Sequence, residues 1–316
     1  MGRIVLVAIN HITNLLEVKS TLKYLQYLLY QLGSFLSRRS PLWLSYWLAR
    51  KAGSASYFLR KKARLAVREN IQQVLGDGDE VDAKARACFQ NFAKYVVDFF
   101  RFPMINKESL DEFIIIEGKE HLDEALGYGK GVVALSAHLG HFELAGAALS
   151  LLGYQINAVS LRQPNPYIDR LFIRQREKCG VKGIPFGSAA RGCYRALQRG
   201  EIVALLGDRD IMGQGINATF FGKDTTIPRG PISLALSTGA AILPGFAVRG
   251  KNDRFCLFIE KPFFLTPTGN KEKDIMEATK KVIGILETYI SRYVEQWSMF
   301  YRIWGRNESI SQRAKI

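Results

Sequence analysis

Apolar residues recur along this chain with two different spacings, and the changes of spacing mark the elements. Leu22, Leu25, Leu28, Leu29, Leu32, Phe35 and Leu36 repeat at helical intervals, all but Leu22 within the uncharged run "YLQYLLYQLGSFLS". "SPLWLSYWLARKAG" then predicts a second helix, with Ser40 as N-cap and Pro41 at the first helical position. After the turn "GDGDE" at 76–80, "VDAKARACFQNFAKYVVDFFRF" predicts another helix. From there short apolar runs read as strands at "EFIIIEG", "GVVALSA", "QINAVSL", "EIVALLGD", "NATFFG", "AAILPGFAV" and "RFCLFIEK". Helical patterns separate them at about 120–127, 143–152, 166–179, 188–199 and 230–238. A long helix carrying Ile275, Ala278, Val282, Ile283, Leu286 and Tyr289 closes the domain. Strand alternating with helix predicts an α/β fold with a largely parallel central sheet flanked by helices. The late strands near 218 and 255 lack full crossover helices, so the sheet is expected to be mixed.

Charge changes the picture at the amino terminus. The chain has 316 residues, is 47% hydrophobic and carries a formal charge of +15. That length suits one large α/β domain with an appended piece, and the charge suits an anionic partner: nucleic acid, an anionic membrane surface or a phosphorylated substrate. Residues 1–70 hold twelve Lys/Arg against only Glu17 and Glu69, so most of the excess sits there. The domain expectation is therefore a basic amphipathic helical membrane-associating segment at 1–70 and an α/β domain at 71–316. Arg38 and Arg39 end the uncharged run short of the ~20 apolar residues that a spanning helix needs. Aromatic helices flanked by Arg and Lys fit an interfacial anchor, and packing on the core is the competing reading. "RKKARLAVREN" could serve as a nucleic-acid patch, yet no helix-turn-helix, RNP, KH or zinc-finger pattern accompanies it, so nucleic acid is not expected. Cys88, Cys179, Cys193 and Cys256 share no short spacing, which argues against a metal knuckle or a disulfide framework. No metal is expected, and a reducing, cytoplasmic setting is. "MGRIVLVAIN" lacks a cleavable-signal pattern, and Leu6 stands where myristoylation needs Ser or Thr.

Candidate chemistry concentrates in "ALSAHLGHFELAG", residues 134–146, where a strand gives way to a helix. Five positions separate His138 from Glu143, too many for one helix face, so they meet only if His138 lies in the loop and Glu143 on the first helical turn. A carboxylate on one ring nitrogen would fix the tautomer and leave the other nitrogen as general base. His141 points elsewhere and reads as packed or capping, while Ser136 lacks a G-x-S-x-G elbow and reads as a strand residue. Asp208 and Asp210 in "LLGDRD" end another strand and are expected at the same rim; a structural network with Arg209 is the alternative.

His and an acid at this spacing straight after a buried strand resembles the active-site motif of the lysophospholipid acyltransferase superfamily. The blocks "LRQPNPYIDRLFIRQREKCGVKGIP", "ALQRGEIVALLGDRD", "ATFFGKDTTIPRGPISLALSTGAAILPGFAVR" and "WSMFYRIWGR" follow in the order of its bacterial lipid A biosynthesis branch, which includes phosphatidylinositol mannoside acyltransferases. The resemblance runs from about residue 20 to 306. It implies that His138 is the general base, Glu143 orients it, and Asp208 is a possible second acidic partner. Arg162 and Arg174 match basic positions that bind phosphate or the oxyanion, and Asp210 and Arg229 join them as substrate-binding residues. Arg229 stands in "PRG" where the glycerolipid branch has glutamate, which argues against a simple glycerol-3-phosphate enzyme. The implied donor is acyl carrier protein (acyl-ACP) or coenzyme A (acyl-CoA), as co-substrate with no bound cofactor. The implied acceptor is an anionic glycolipid such as a lipid A precursor, and the implied location is the cytoplasmic face of the bacterial inner membrane, peripheral or monotopic. A phosphatidylinositol mannoside or a lysophospholipid is the alternative acceptor, and a basic membrane- or nucleic-acid-binding module is the alternative outside enzymes.

Overall fold

The computed structural model describes residues 2–211 and 213–304, with side chains placed from residue 21 onward. Met1, the side chains of "GRIVLVAIN" including Leu6, and those of Glu17 and Lys19 lie outside the described residues, as do Gly305 and Arg306 at the end of "WSMFYRIWGR". Four helices come first: α1 (Gly2–Arg39), α2 (Leu42–Leu59), α3 (Lys61–Leu75) and α4 (Glu80–Arg101). Pro41 makes the break between α1 and α2: it occupies the cap position with φ −56° and ψ 145° and offers no N–H to continue α1. Ser40, the expected N-cap, instead turns its hydroxyl back to the Leu36 carbonyl at 2.8 Å and closes the last turn of α1.

α2 can approach α4 closely because Gly53 has no side chain; a Cβ there would stand 2.6 Å from the Phe89 carbonyl oxygen. Tyr57, Val67, Ile71 and Phe89 bury themselves among these helices, each full burial of such a side chain contributing about 1.5–3 kcal/mol. A polar tie then fastens the helices to the sheet. Tyr46 donates to Asp98 at 2.5 Å, and Arg249 donates to Tyr46 Oη at 3.0 Å while pairing with Asp98. Burial raises the Asp98 pKa despite the opposing pull of Arg249.

The remaining elements are α5 (Leu110–Phe113), β1 (Ile114–Glu117), α6 (Lys119–Gly127), β2 (Val132–Ser136), α7 (Phe142–Leu151), β3 (Ile156–Ser160), α8 (Pro166–Lys178), β4 (Lys182–Pro185), α9 (Ala189–Gln198), β5 (Ile202–Leu206), β6 (Ile216–Phe220), β7 (Lys223–Ile227), α10 (Gly230–Thr238), β8 (Ala241–Arg249), β9 (Phe255–Ile259) and α11 (Lys271–Arg292). Seven strands form the central sheet in the order β1-β9-β8-β2-β5-β3-β4. β8 runs antiparallel to β9, and the other neighbours are parallel, which is the mixed, largely parallel α/β sheet expected from the sequence. β6 and β7 form a separate antiparallel hairpin.

Alternation along the strands sends side chains into two layers. On β2, Val133 and Leu135 pack with residues of α9, α10 and α11, whereas Val132 and Ala134 face α6 and α7. Leu144, Ala147 and Ala148 of α7 fill the second layer, and Ala196, Ile232 and Leu286 fill the first. Phe220 of "FFG" is fully buried against Trp304 and belongs to the core. Among the described residues, no helix is long and apolar enough to cross a membrane.

Candidate active site

β2 and β5 are parallel neighbours with Ser136 level with Leu206. The chain therefore leaves both strands at one edge of the sheet, the edge where open α/β sheets place their ligands. His138 lies two residues beyond β2 and Asp208 two beyond β5. The loop that carries His138 is held before its side chain acts. Gly140 takes φ +59°, and a Cβ there would meet the Ala247 oxygen at 2.0 Å. Its N–H donates to Gln296 O at 3.0 Å, the His141 N–H donates to Ala247 O at 2.7 Å, and the His138 carbonyl accepts from the Ser298 N–H at 2.8 Å.

His138 Nδ1 stands 2.8 Å from Asp208 Oδ1, and the His138 backbone N–H donates to Oδ2 at 2.9 Å. The Trp297 indole N–H reaches the same Oδ2 at 2.9 Å. The Asp208 side chain is 0% exposed and that of His138 24%. Burial pushes the Asp208 carboxyl up, but the His138 charge and the hydrogen bonds from His138 and Trp297 outweigh it and leave its pKa below the ordinary value. An ionised carboxylate only accepts, so Nδ1 faces it with a proton, and in the neutral imidazole the lone pair is then on Nε2. His138 lines a cavity of about 1470 Å³.

This arrangement corrects the expected role of Glu143. It does sit on the first turn of α7, but its carboxylate faces α8, where Arg176 Nε donates to Oε2 at 2.9 Å and to Oε1 at 3.1 Å, and Nη2 donates to Oε1 as well. Glu143 is thus committed to a nearly buried two-donor ion pair, and the hydrogen bond to the His138 ring belongs to Asp208. Strand adjacency decides this: pairing of β2 with β5 sets residue 208 beside residue 138, while the turn into α7 directs Glu143 toward α8. Arg176 and Trp297 lie within blocks that carry the resemblance, but nothing in the sequence marks either as a partner of these carboxylates. A buried indole N–H has to find an acceptor, but the acceptor lies 89 positions away.

His141 is packed and capping, as expected. Its Nδ1 accepts the Leu144 N–H at 3.2 Å as N-cap of α7, and its ring lies 4.2 Å from that of Tyr95. Burial, helped by Arg249, holds its pKa well below the usual histidine value.

The cavity exceeds the roughly 300–1,000 Å³ of a pocket for a drug-sized ligand. Toward α6 and α7 its wall is apolar, with the small Ala134, Ala145, Gly146 and Ala158 set among Leu122, Leu149, Ile156, Val181 and Leu257. Asp210 and Arg229 line the cavity. Both Asp210 oxygens also accept backbone N–H groups, Gly213 at 3.1 Å and Gly215 at 2.7 Å, which shapes the loop after β5. Arg162 and Arg174 are exposed and lie outside the cavity lining, so the structure does not bring them to His138. Arg209 lies over the Tyr301 ring at 4.1 Å, and burial lowers its pKa.

Comparison with known proteins adds to this geometry. Residues 16–306 match the family described as bacterial lipid A biosynthesis acyltransferase. The chain is 28% identical over 271 residues to a phosphatidylinositol mannoside acyltransferase of Mycobacterium tuberculosis, covering 83% of the chain and 84% of that protein. A protein of the same description from Mycolicibacterium smegmatis is 27% identical over 271 residues, with 83% and 86% covered. A lipid A biosynthesis acyltransferase of Haemophilus influenzae is 22% identical over 261 residues, with 80% and 77% covered.

Proposed function

The chain belongs to the bacterial lipid A biosynthesis acyltransferase family and is an acyltransferase; we propose that it moves a fatty acyl chain from an acyl thioester, on acyl carrier protein or coenzyme A, to a hydroxyl of an anionic glycolipid. The observation that carries this reading is the His138 ring, with Nδ1 held by a buried carboxylate at the edge of a large apolar cavity. Nε2 takes the proton of the acceptor hydroxyl as its oxygen attacks the thioester carbonyl carbon. The tetrahedral intermediate collapses, the C–S bond breaks, and the leaving thiolate takes the proton back from the imidazolium. Asp208 stabilises that imidazolium and keeps the tautomer. The acyl chain lies in the apolar part of the cavity beside α7, among Ala145, Gly146, Leu149 and Ile156.

The membrane role rests on the amino-terminal helices. Trp43 is 70% exposed and Leu59 82%, and Leu29 and Phe35 are exposed as well. Arg38, Arg39, Arg50, Lys51 and Arg60 lie among them in the sequence. Apolar insertion together with about 1 kcal/mol per basic residue near an anionic surface supports peripheral attachment to the cytoplasmic face of the inner membrane. Tyr30 of α1 also lines the cavity, so a lipid acceptor could reach His138 from the bilayer side. Sedimentation of the full-length protein with phosphatidylglycerol vesicles, and its loss on Trp43→Glu/Leu59→Glu, tests the attachment; equal sedimentation of both proteins would remove it.

A lipid A precursor is the acceptor that the family description suggests. A phosphatidylinositol mannoside is a second reading, favoured by the higher identity to the mycobacterial relatives, 28% against 22%. Mass spectrometry of lipids from cells with and without the gene decides between them, because the lipid that loses one acyl group names acceptor and chain together. A lipid profile unchanged in both classes would overturn the reading.

A further inference from the structure

The charge lining the cavity is divided between its two sides. Toward α6, α7 and α8, the charged lining residues besides His138 are Glu143 and Arg176, which neutralise each other. Toward α9, α10 and α11, the lining holds Arg191, Arg195, Arg209, Arg229 and Lys271. No ion pair of these five with a carboxylate occurs among the described residues. The single carboxylate on that side, Asp210, already accepts two backbone N–H groups. Arg191 and Arg195 are one helical turn apart on α9, about 6 Å along the axis, and so project from one face. Ser233 and Ser237 of α10 line the same space. Like charges gathered around one space attract a multiply charged anion, and each side chain can add a charge-assisted hydrogen bond to it.

We propose that Arg191 and Arg195, with Arg229 and Lys271, form an anion-binding arm that holds a phosphate ester of one substrate while the reacting end of that substrate reaches His138. The identity of that substrate rests on the acyl-transfer reading; the anion site itself does not. A phosphate ester is present in both thioester donors through phosphopantetheine, and an anionic glycolipid can carry one too. The cavity offers an apolar compartment and a cationic one on opposite sides of the general base, which matches a molecule with an acyl chain at one end and phosphate at the other. It equally matches two substrates entering from either side.

The test uses the full-length protein and Arg191→Gln/Arg195→Gln, both sites being exposed enough to spare the fold. Calorimetric titration with inorganic pyrophosphate is the first readout. Saturable binding by the wild type, weakened by roughly tenfold or more in the variant as expected for loss of charge-assisted hydrogen bonds, supports the arm. Absent or equal binding overturns it. A wild type that binds pyrophosphate but transfers no acyl chain keeps the arm and removes the acyl-transfer reading. Michaelis constants then locate the phosphate. A rise for acyl-CoA but not for the phosphate-free acyl-pantetheine assigns the donor, and a rise for the glycolipid alone assigns the acceptor. Unchanged constants for all three overturn the proposal.

Discussion

Asp208→Asn follows the hydrogen bonds around His138 to a definite outcome. Three donors converge on this buried carboxylate: His138 Nδ1–H at 2.8 Å, and the His138 backbone N–H and Trp297 Nε1–H at 2.9 Å each. Asparagine keeps one acceptor oxygen. Placed at the Oδ2 site, that oxygen still serves the backbone and indole N–H groups, and the new NH2 faces Nδ1. The opposite orientation would set the NH2 against two donors, each costing about 1–3 kcal/mol when left unsatisfied in the interior, so the first orientation wins. The ring must then accept at Nδ1, which moves its proton to Nε2 and abolishes the base. A wrong tautomer of this kind lowers turnover by about 10⁴ in the serine-protease triad, and a loss on the order of 10³–10⁴ is expected here, with a stability cost of about 1–3 kcal/mol. Initial rates of acyl transfer, normalised by the folded fraction from circular dichroism, provide the assay. Glu143→Gln serves as the contrast: it breaks the pair with Arg176 but leaves the His138 tautomer, so it retains the histidine limb of the pH–rate profile. A folded Asp208→Asn protein with a tenth or more of wild-type turnover would show that Asp208 does not set the His138 tautomer.

His141 is buried neutral with a depressed pKa, so the stability from keeping it neutral is present above pH ~6.5 and lost as pH falls below it. Wild type should lose about 1.4 kcal/mol more per pH unit in that range than His141→Asn, which keeps a capping acceptor; parallel slopes in urea unfolding would contradict this. Gly140→Ala, with its Cβ driven onto the Ala247 oxygen at positive φ, should lower stability by at least about 1–3 kcal/mol and displace His138, read as a fall in both melting temperature and turnover. Gly146→Leu should fill the space beside α7, where a Cβ meets only Ile156 and Val181 side chains at 3.8 Å. The acyl chain in its product should be shorter than in the wild type, and an unchanged chain by mass spectrometry would place the acyl group elsewhere.

Local pattern carried far in this chain. α6 to α10 begin and end within one or two residues of their expected limits because amphipathic spacing and terminal glycines are local signals. β4 and β7 escaped because "KGIP" and "KDTTI" each bury only one side chain and lack an apolar run. The site divided in the same way. His138 was legible from the strand, glycine and helix order, and Asp208 from its strand end. Which acid the imidazole holds depends on β2 lying next to β5, and no spacing within the chain encodes that adjacency. Arg176 and Trp297 were hidden for the same reason, each meeting its carboxylate only across the packed fold. Arg162 and Arg174, placed by resemblance, are exposed outside the cavity, whereas Arg191 and Arg195 line it from a helix whose sequence has no motif.

A general base at His138, oriented by Asp208, should set the rate of acyl transfer to a glycolipid hydroxyl. That rate is read from acylated glycolipid formed by purified full-length protein from a labelled acyl thioester, measured together with free thiol for wild type and His138→Ala. The wild type should release one thiol per acyl group transferred, and the folded variant should be slower by at least about 10²-fold. Equal rates in the two proteins, or thiol release by the wild type with no acylated lipid, would contradict this.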